Sequence, residues 1–168
     1  LQIDEIKVPE QSNKGLQDFF KELEFNAFVT EEQVEKKVVE YRTLKSIDDL
    51  SMIEKLIHES KCFAFDTETT SIDSLEAELV GVSFSFEANS GYYLPIAHQE
   101  KTAISRDEAL RWLKQTIEAS QDKVIGQNLK YDLQVLRNHQ INIKRFYADT
   151  MLMSYSINST ASRHNLDA

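Results

Sequence analysis

Asp66 and Glu68 stand two positions apart in Phe63-Ala64-Phe65-Asp66-Thr67-Glu68-Thr69. Aromatic and small apolar residues run into the pair, which is the composition of a strand. Successive side chains on a strand point to opposite faces, so both carboxylates share one face. Two adjacent carboxylates repel, and burying them unpaired costs several kcal/mol or more. That face must therefore be wet or hold a cation. Oxygen-only ligands favour Mg²⁺ or Mn²⁺. A third carboxylate lies in Gly126-Gln127-Asn128-Leu129-Lys130-Tyr131-Asp132. With Asn128 as the N-cap of a helix, Asp132 sits one turn in, above the end of the Asp66–Glu68 strand. Three acids converging from a strand and a helix suit a pair of divalent cations about 3.5–4 Å apart. Asn128 and Tyr131 flank them with an amide and an aromatic ring, groups suited to a nucleotide's sugar and base.

The elements that position these residues follow from hydrophobic spacing. Leu16, Phe19, Phe20 and Leu23 fall at helical intervals over residues 14–25. Residues 1–13 and 26–37 read as linker, and Val38–Tyr41 as a short strand. Ser46, with Asp48 and Asp49 behind it, opens a helix reaching about Glu59. The Cys62–Thr67 strand follows, then an alternating strand over Leu79–Phe86. A turn at Asn89-Ser90-Gly91 leads to a third strand, Tyr92–Ala97, where Pro95 fits an edge or a strand end. Ser105 and Glu108 form a capping box for a helix to about Glu118. Lys123–Gly126 reads as a central parallel strand, Asn128–Asn138 as a helix, and Ile141–Phe146 as a further strand. Asp149 caps a last helix through Ile157. Three strands in succession make an antiparallel meander, and strands reached through helices join in parallel. The fold class is therefore α/β, a mixed sheet flanked by helices.

The 168 residues allow one domain with a proper core, and 28% charged against 41% hydrophobic residues is ordinary for a globular chain. No apolar run approaches the roughly 18 residues a membrane span needs, so no membrane partner is expected. A net charge of −9 excludes a broad nucleic-acid-coating surface, although residues 121–168 carry six basic and four acidic side chains. Cys62 is the single cysteine, which rules out an internal disulfide framework and fits a reducing cytoplasm.

Together, the Phe63–Thr69 and Gly126–Asp132 blocks resemble the first two motifs of the DnaQ-like 3′–5′ exonucleases. More narrowly, they are similar to the proofreading domains of bacterial DNA polymerases I. Tyr93-Leu94-Pro95-Ile96-Ala97-His98, Asp149-Thr150-Met151 and Ser159-Thr160-Ala161-Ser162-Arg163-His164 support the narrower match. Leu16–Phe25 looks like the end of a 5′-nuclease domain. On that reading residues 1–45 are a linker with an amphipathic helix, and residues 46–168 are the exonuclease-like domain. The resemblance implies a ribonuclease H-like fold, a bacterial cytoplasmic, nucleoid-associated setting, and hydrolysis of the terminal phosphodiester at a single-stranded or frayed DNA 3′ end. It implies two divalent cations, Mg²⁺ or Mn²⁺. Asp66 would bridge both, Glu68 would serve the one that activates water, and Asp132 would serve the second. Asn128 and Tyr131 would contact the terminal nucleotides, Ile72 would wedge against the last base, and Thr69 would contact the 3′ end through its backbone. A polymerase module is expected in the same parent chain.

The family's third motif, Tyr-x-x-x-Asp, is missing from this sequence. Tyr147-Ala148-Asp149 has the wrong spacing, and Tyr155 is followed four residues on by Ser159. The sequence therefore reads as a fragment, truncated before that motif and weak or inactive alone. Two alternatives stand beside the main reading: a catalytically silent scaffold for a polymerase module, and an RNA-trimming relative.

Overall fold

The computed structural model describes residues 14–23, 39–97, 103–160 and 163–166. The chain divides into two units, Leu1–Val38 and Val39–Ala168. In the first, helix α1 spans Lys14–Glu22, and Phe19 and Leu23 remain exposed. The linker expected over residues 1–13 and 26–37 lies outside the described residues.

The second unit starts at Val39 rather than at residue 46, because strand β1 (Glu40–Thr43) belongs to its sheet. Helix α2 (Ile47–Glu59) follows, then β2 (Phe63–Thr69), β3 (Leu79–Ser85) and β4 (Ser90–Pro95). Helix α3 (Arg106–Ser120), β5 (Val124–Gly126), α4 (Leu129–Asn138), β6 (Ala148–Asp149) and α5 (Thr150–Ile157) complete it. The strand order is β1-β4-β3-β2-β5-β6. β2, β3 and β4 form the expected antiparallel meander. β5 joins β2 in parallel and β6 joins β5 in parallel, while β1 pairs in parallel with β4 at the other edge. Pro95 ends its strand, where its missing N–H removes no inner rung.

Both helix starts were written locally. Ser46 Oγ accepts from Asp49 N while Asp49 Oδ2 accepts from Ser46 N, and Ser105 and Glu108 repeat the exchange. Phe63, Phe65, Val82 and Phe84 build one sheet face into the core with Ile53, Leu113 and Leu136 from the helices. Each such burial stabilises by about 1.5–3 kcal/mol. The Trp112 ring of α3 meets Phe84 edge-on at 6.0 Å between centroids.

The strand expected over Ile141–Phe146 does not form. Ile141 and Ile143 are buried as their alternation requires. The backbone N–H groups between and after them go to side chains instead. Asn142 N donates to Glu118 Oε1, and Lys144 N and Arg145 N donate to Gln121 Oε1. Alternation reports which side chains turn inward, and these amides were already taken from any ladder. The strand forms later, at Ala148–Asp149. No helix among the described residues is long and apolar enough to cross a membrane.

Candidate functional site

On β2, Phe65 and Thr67 are buried while Asp66 and Glu68 are exposed, so the two carboxylates do share the outer face. Their partners on β3 are the small residues Ser83 and Gly81. A register shift between Glu68 and Thr69 ends the regular pairing there. A Cβ on Gly81 would fall 2.0 Å from the Tyr93 hydroxyl, so the Tyr93 side chain lies across this glycine. Burial, and then the charge of Glu68, hold the Tyr93 phenol above its ordinary value. The same face borders a cavity of about 500 Å³ whose lining includes Asp66, Ser83, Tyr93, Ile125 and Gln127.

Asp132 arrives from α4 and is 2% exposed. Its Oδ1 accepts from Thr67 N at 3.1 Å and from Thr67 Oγ1 at 2.5 Å. Burial pushes its pKa up to about 6, and the charge of Asp66 adds to the shift. Asp66 is raised in turn by partial burial and by Glu68, with the Thr67 N–H working against the shift. None of the ion pairs among the described residues includes Asp66, Glu68 or Asp132.

The three acids are neighbours without forming a ready-made cage. Among the described residues no group of three or more His, Cys, Asp or Glu side chains is gathered to hold a metal ion. Asp132 spends one oxygen on Thr67, while Asp66 and Glu68 project from the opposite face of β2. The donor set nevertheless fits a hard divalent cation: three carboxylates, two of them held above the usual carboxylate range, with no basic side chain paired with them among the described residues.

Asn128 does not cap α4 as expected. Its backbone is left-handed (φ 57°, ψ 46°) and its side chain makes no capping bond. The cap comes from Asp149, whose Oδ1 accepts from Asn128 N at 3.2 Å and whose Oδ2 accepts from Leu129 N at 2.8 Å. Asp149 Oδ1 also accepts from Met151 N and Leu152 N, so one buried carboxylate starts both α4 and α5. The expected capping of α5 is therefore right, and its double role was hidden. Thr67 and Asp149 are the two positioning groups the sequence reading missed. Thr67 carried a signal in its place between the two acids, whereas Asp149 had none for α4.

Of the other expected contacts, Thr69, Ile72 and Tyr131 line one open cleft of about 380 Å³ together with Thr70 and Ser71. The Tyr131 hydroxyl is bonded to Thr69 Oγ1 at 2.5 Å and donates to Ser71 O. Ile72 is 99% exposed. Asn128 is exposed near the start of α4 and is not part of that lining.

A family model described as 3′–5′ exonuclease matches residues 41–168. The DNA polymerase I of Pseudomonas aeruginosa is 42% identical over 119 residues, covering 68% of this chain and 13% of that protein. The DNA polymerase I of Borreliella burgdorferi is 32% identical over 164 residues, covering 97% of this chain and 18% of that protein. The chain thus spans less than a fifth of the length of these relatives. Among solved structures, the POL domain of Pol1 from M. smegmatis in complex with DNA primer-template and dNTP aligns with a TM-score of 0.57 at 14% identity, over 76% of this chain and 21% of that one. Trypanosoma brucei RNase D in complex with RNA U12 aligns with a TM-score of 0.55 at 13% identity, over 71% and 40%. These structural likenesses concern the fold, the ribonuclease H-like mixed sheet flanked by helices.

Proposed function

We propose, from the premise that this chain belongs to the 3′–5′ exonuclease family, that it is the part of a bacterial DNA polymerase I that hydrolyses the terminal phosphodiester at DNA 3′ ends in proofreading. The observation that carries this reading is the set of Asp66, Glu68 and Asp132, free of basic partners, beside the Thr69–Ile72–Tyr131 cleft. Asp66, Glu68 and Asp132 would hold two divalent cations, Mg²⁺ or Mn²⁺, which make the attacking water more acidic and stabilise the leaving 3′ oxygen. Thr67, the neighbour of Asp66 in β2, holds the Asp132 carboxyl through two hydrogen bonds. The hydroxyl of Tyr131 is committed to Thr69 and Ser71, and its ring, partly buried against the core, also lines the cleft, where it would stack on a base. Ile72 offers a bare apolar side chain to the last base, and Thr69 lies beside it at the end of β2. The net charge of −9 suits a site that takes a few frayed nucleotides and leaves the duplex to the polymerase module of the parent protein.

The test is nucleotide release from 3′-labelled single-stranded DNA, with and without Mg²⁺, by the full-length protein and by this chain. Cleavage by the full-length protein that requires Mg²⁺ and is lost in Asp66→Ala is the expected result. Unchanged cleavage by Asp66→Ala refutes the reading. The second reading is a silent scaffold for the polymerase module. Calorimetry with Mn²⁺ that compares the full-length protein with its Asp66→Ala variant separates the two, because a scaffold loses no binding sites on the substitution.

A further inference from the structure

The connection between β2 and β3, residues 70–78, keeps its shape without burying its large apolar side chains. Ile72 is 99% exposed and Leu75 is 73% exposed, while Ala77 is buried. Loops are ordinarily ordered by tucking such groups away. Here polar bonds do that work. The ends are clamped by Thr70 N to Glu78 O and by Glu78 N to Thr70 Oγ1. Four carbonyls of the loop, those of Ser71, Ser74, Leu75 and Ala77, point at α4. Asn138 Nδ2 donates to Ser74 O at 2.9 Å and reaches Ala77 O at 3.4 Å and Leu75 O at 3.5 Å. Ser74 Oγ donates to Gln134 Oε1 at 2.5 Å, and the Tyr131 hydroxyl donates to Ser71 O. Residues 131, 134 and 138 are spaced by three and four, so they form one stripe along the helix. Asp132 sits on the same helix, one residue from the start of that stripe.

We propose that Asn138, assisted by Gln134, is a positioning residue for the DNA 3′ end. It ties the loop that presents Ile72 and Leu75 to the helix that carries Asp132, and so sets the distance between the base-contacting side chains and the carboxylates. The inference rests on the exonuclease reading above. It assigns Leu75 to the same apolar surface as Ile72, since both are left bare by a loop whose backbone is held elsewhere.

The experiment compares Asn138→Ala, Asn138→Asp and Asn138→Gln in the full-length protein with Mg²⁺. One substrate is 3′-labelled single-stranded DNA. The other is bis(p-nitrophenyl) phosphate, which carries no base to meet Ile72 and the loop. Losing the tether raises KM for DNA about tenfold in the Ala and Asp variants, the effect of one net hydrogen bond, with kcat and ester hydrolysis little changed. Asn138→Gln, which keeps the amide donors, recovers part of the loss. Amide hydrogen exchange supplies a readout free of activity: residues 73–78 exchange faster in the variants, and β2 exchanges as before. An unchanged KM for DNA in both the Ala and Asp variants overturns the proposal, and so does a parallel fall in ester hydrolysis. If the wild-type protein cleaves no 3′ end, the exonuclease reading fails separately. Exchange alone then decides whether Asn138 holds the loop, and an unchanged rate overturns the tether.

Discussion

Replacing Asp149 should unfasten two helices at once. Its carboxylate accepts from Asn128 N, Leu129 N, Met151 N and Leu152 N at 3.2, 2.8, 2.9 and 3.2 Å. Asp149 itself is 5% exposed, so water cannot readily replace it. A lost helix cap costs about 0.5–2 kcal/mol, and a buried N–H left without a partner costs about 1–3 kcal/mol. Two caps and the buried Leu129 amide together give about 3–4 kcal/mol for Asp149→Ala. For a chain of this size that is a fall in Tm of roughly 10 °C. Asp149→Asn keeps one acceptor oxygen and loses about half as much. Asp122→Asn, at an exposed carboxylate outside these helices, should change stability by less than about 0.5 kcal/mol. Thermal unfolding followed by circular dichroism reads all three. Because α4 carries Asp132, the Ala variant should also lose cleavage. A fall in Tm of less than about 3 °C for Asp149→Ala refutes the double cap. An unchanged Tm with weakened Mn²⁺ binding would make Asp149 a metal ligand instead.

Lys123 Nζ donates to Ile57 O, His58 O and Ser60 O at 2.8, 3.0 and 2.8 Å, closing the C-terminal end of α2. Lys123→Met should cost about 1–3 kcal/mol in urea unfolding, and a change near zero would mean water replaces the ammonium freely. Asp132→Asn should trade activity for stability. Its pKa rises from 3.8 to about 6 on folding, so the folded state binds the extra proton and stability falls as pH rises between those values. At pH 8 the substitution should stabilise by up to about 3 kcal/mol, and the gain should vanish near pH 4; an equal gain at both pH values would contradict the argument. His139 has the opposite sign. Its Nε2 accepts from Leu79 N at 3.1 Å, and burial holds its pKa below 6.5 despite Glu78. The unfolded chain therefore takes up a proton first as pH falls through 6.5, and stability is lost. His139→Phe should be less stable at pH 7 by about 1–3 kcal/mol and should lose less on acidification to pH 5 than the wild type, as read from urea midpoints.

Much of this molecule was legible in its residues because the signals are local. The Ser46 and Ser105 capping boxes bond within four residues, and they start α2 and α3 where the sequence places them. Alternation in β2 correctly divided core from outer face. Alternation failed at Ile141–Phe146 because burial of two isoleucines does not reveal that Glu118 and Gln121 hold the intervening amides. The cap of α4 failed for a similar reason. Asn128 is a good capping residue by type, but a left-handed backbone points its side chain away, and the acceptor comes from Asp149.

The sequence by itself determined the acids and their shared faces. Asp66 and Glu68 had to lie together because strand geometry alternates, and Asp132 had to lie one turn into a helix beside that strand. It also determined the family, since motif order and residue type survive without coordinates. The tertiary structure decided what each acid is worth. It buried Asp132 against Thr67 and raised its pKa, left Asp66 and Glu68 on the other side of the strand, and closed Asp149 over two helix starts. It also turned the carbonyls of Ser71, Ser74, Leu75 and Ala77 towards α4 while leaving Ile72 and Leu75 bare. The physical reason is that burial and long-range hydrogen bonds depend on which segments the chain packs together, and no local spacing encodes that.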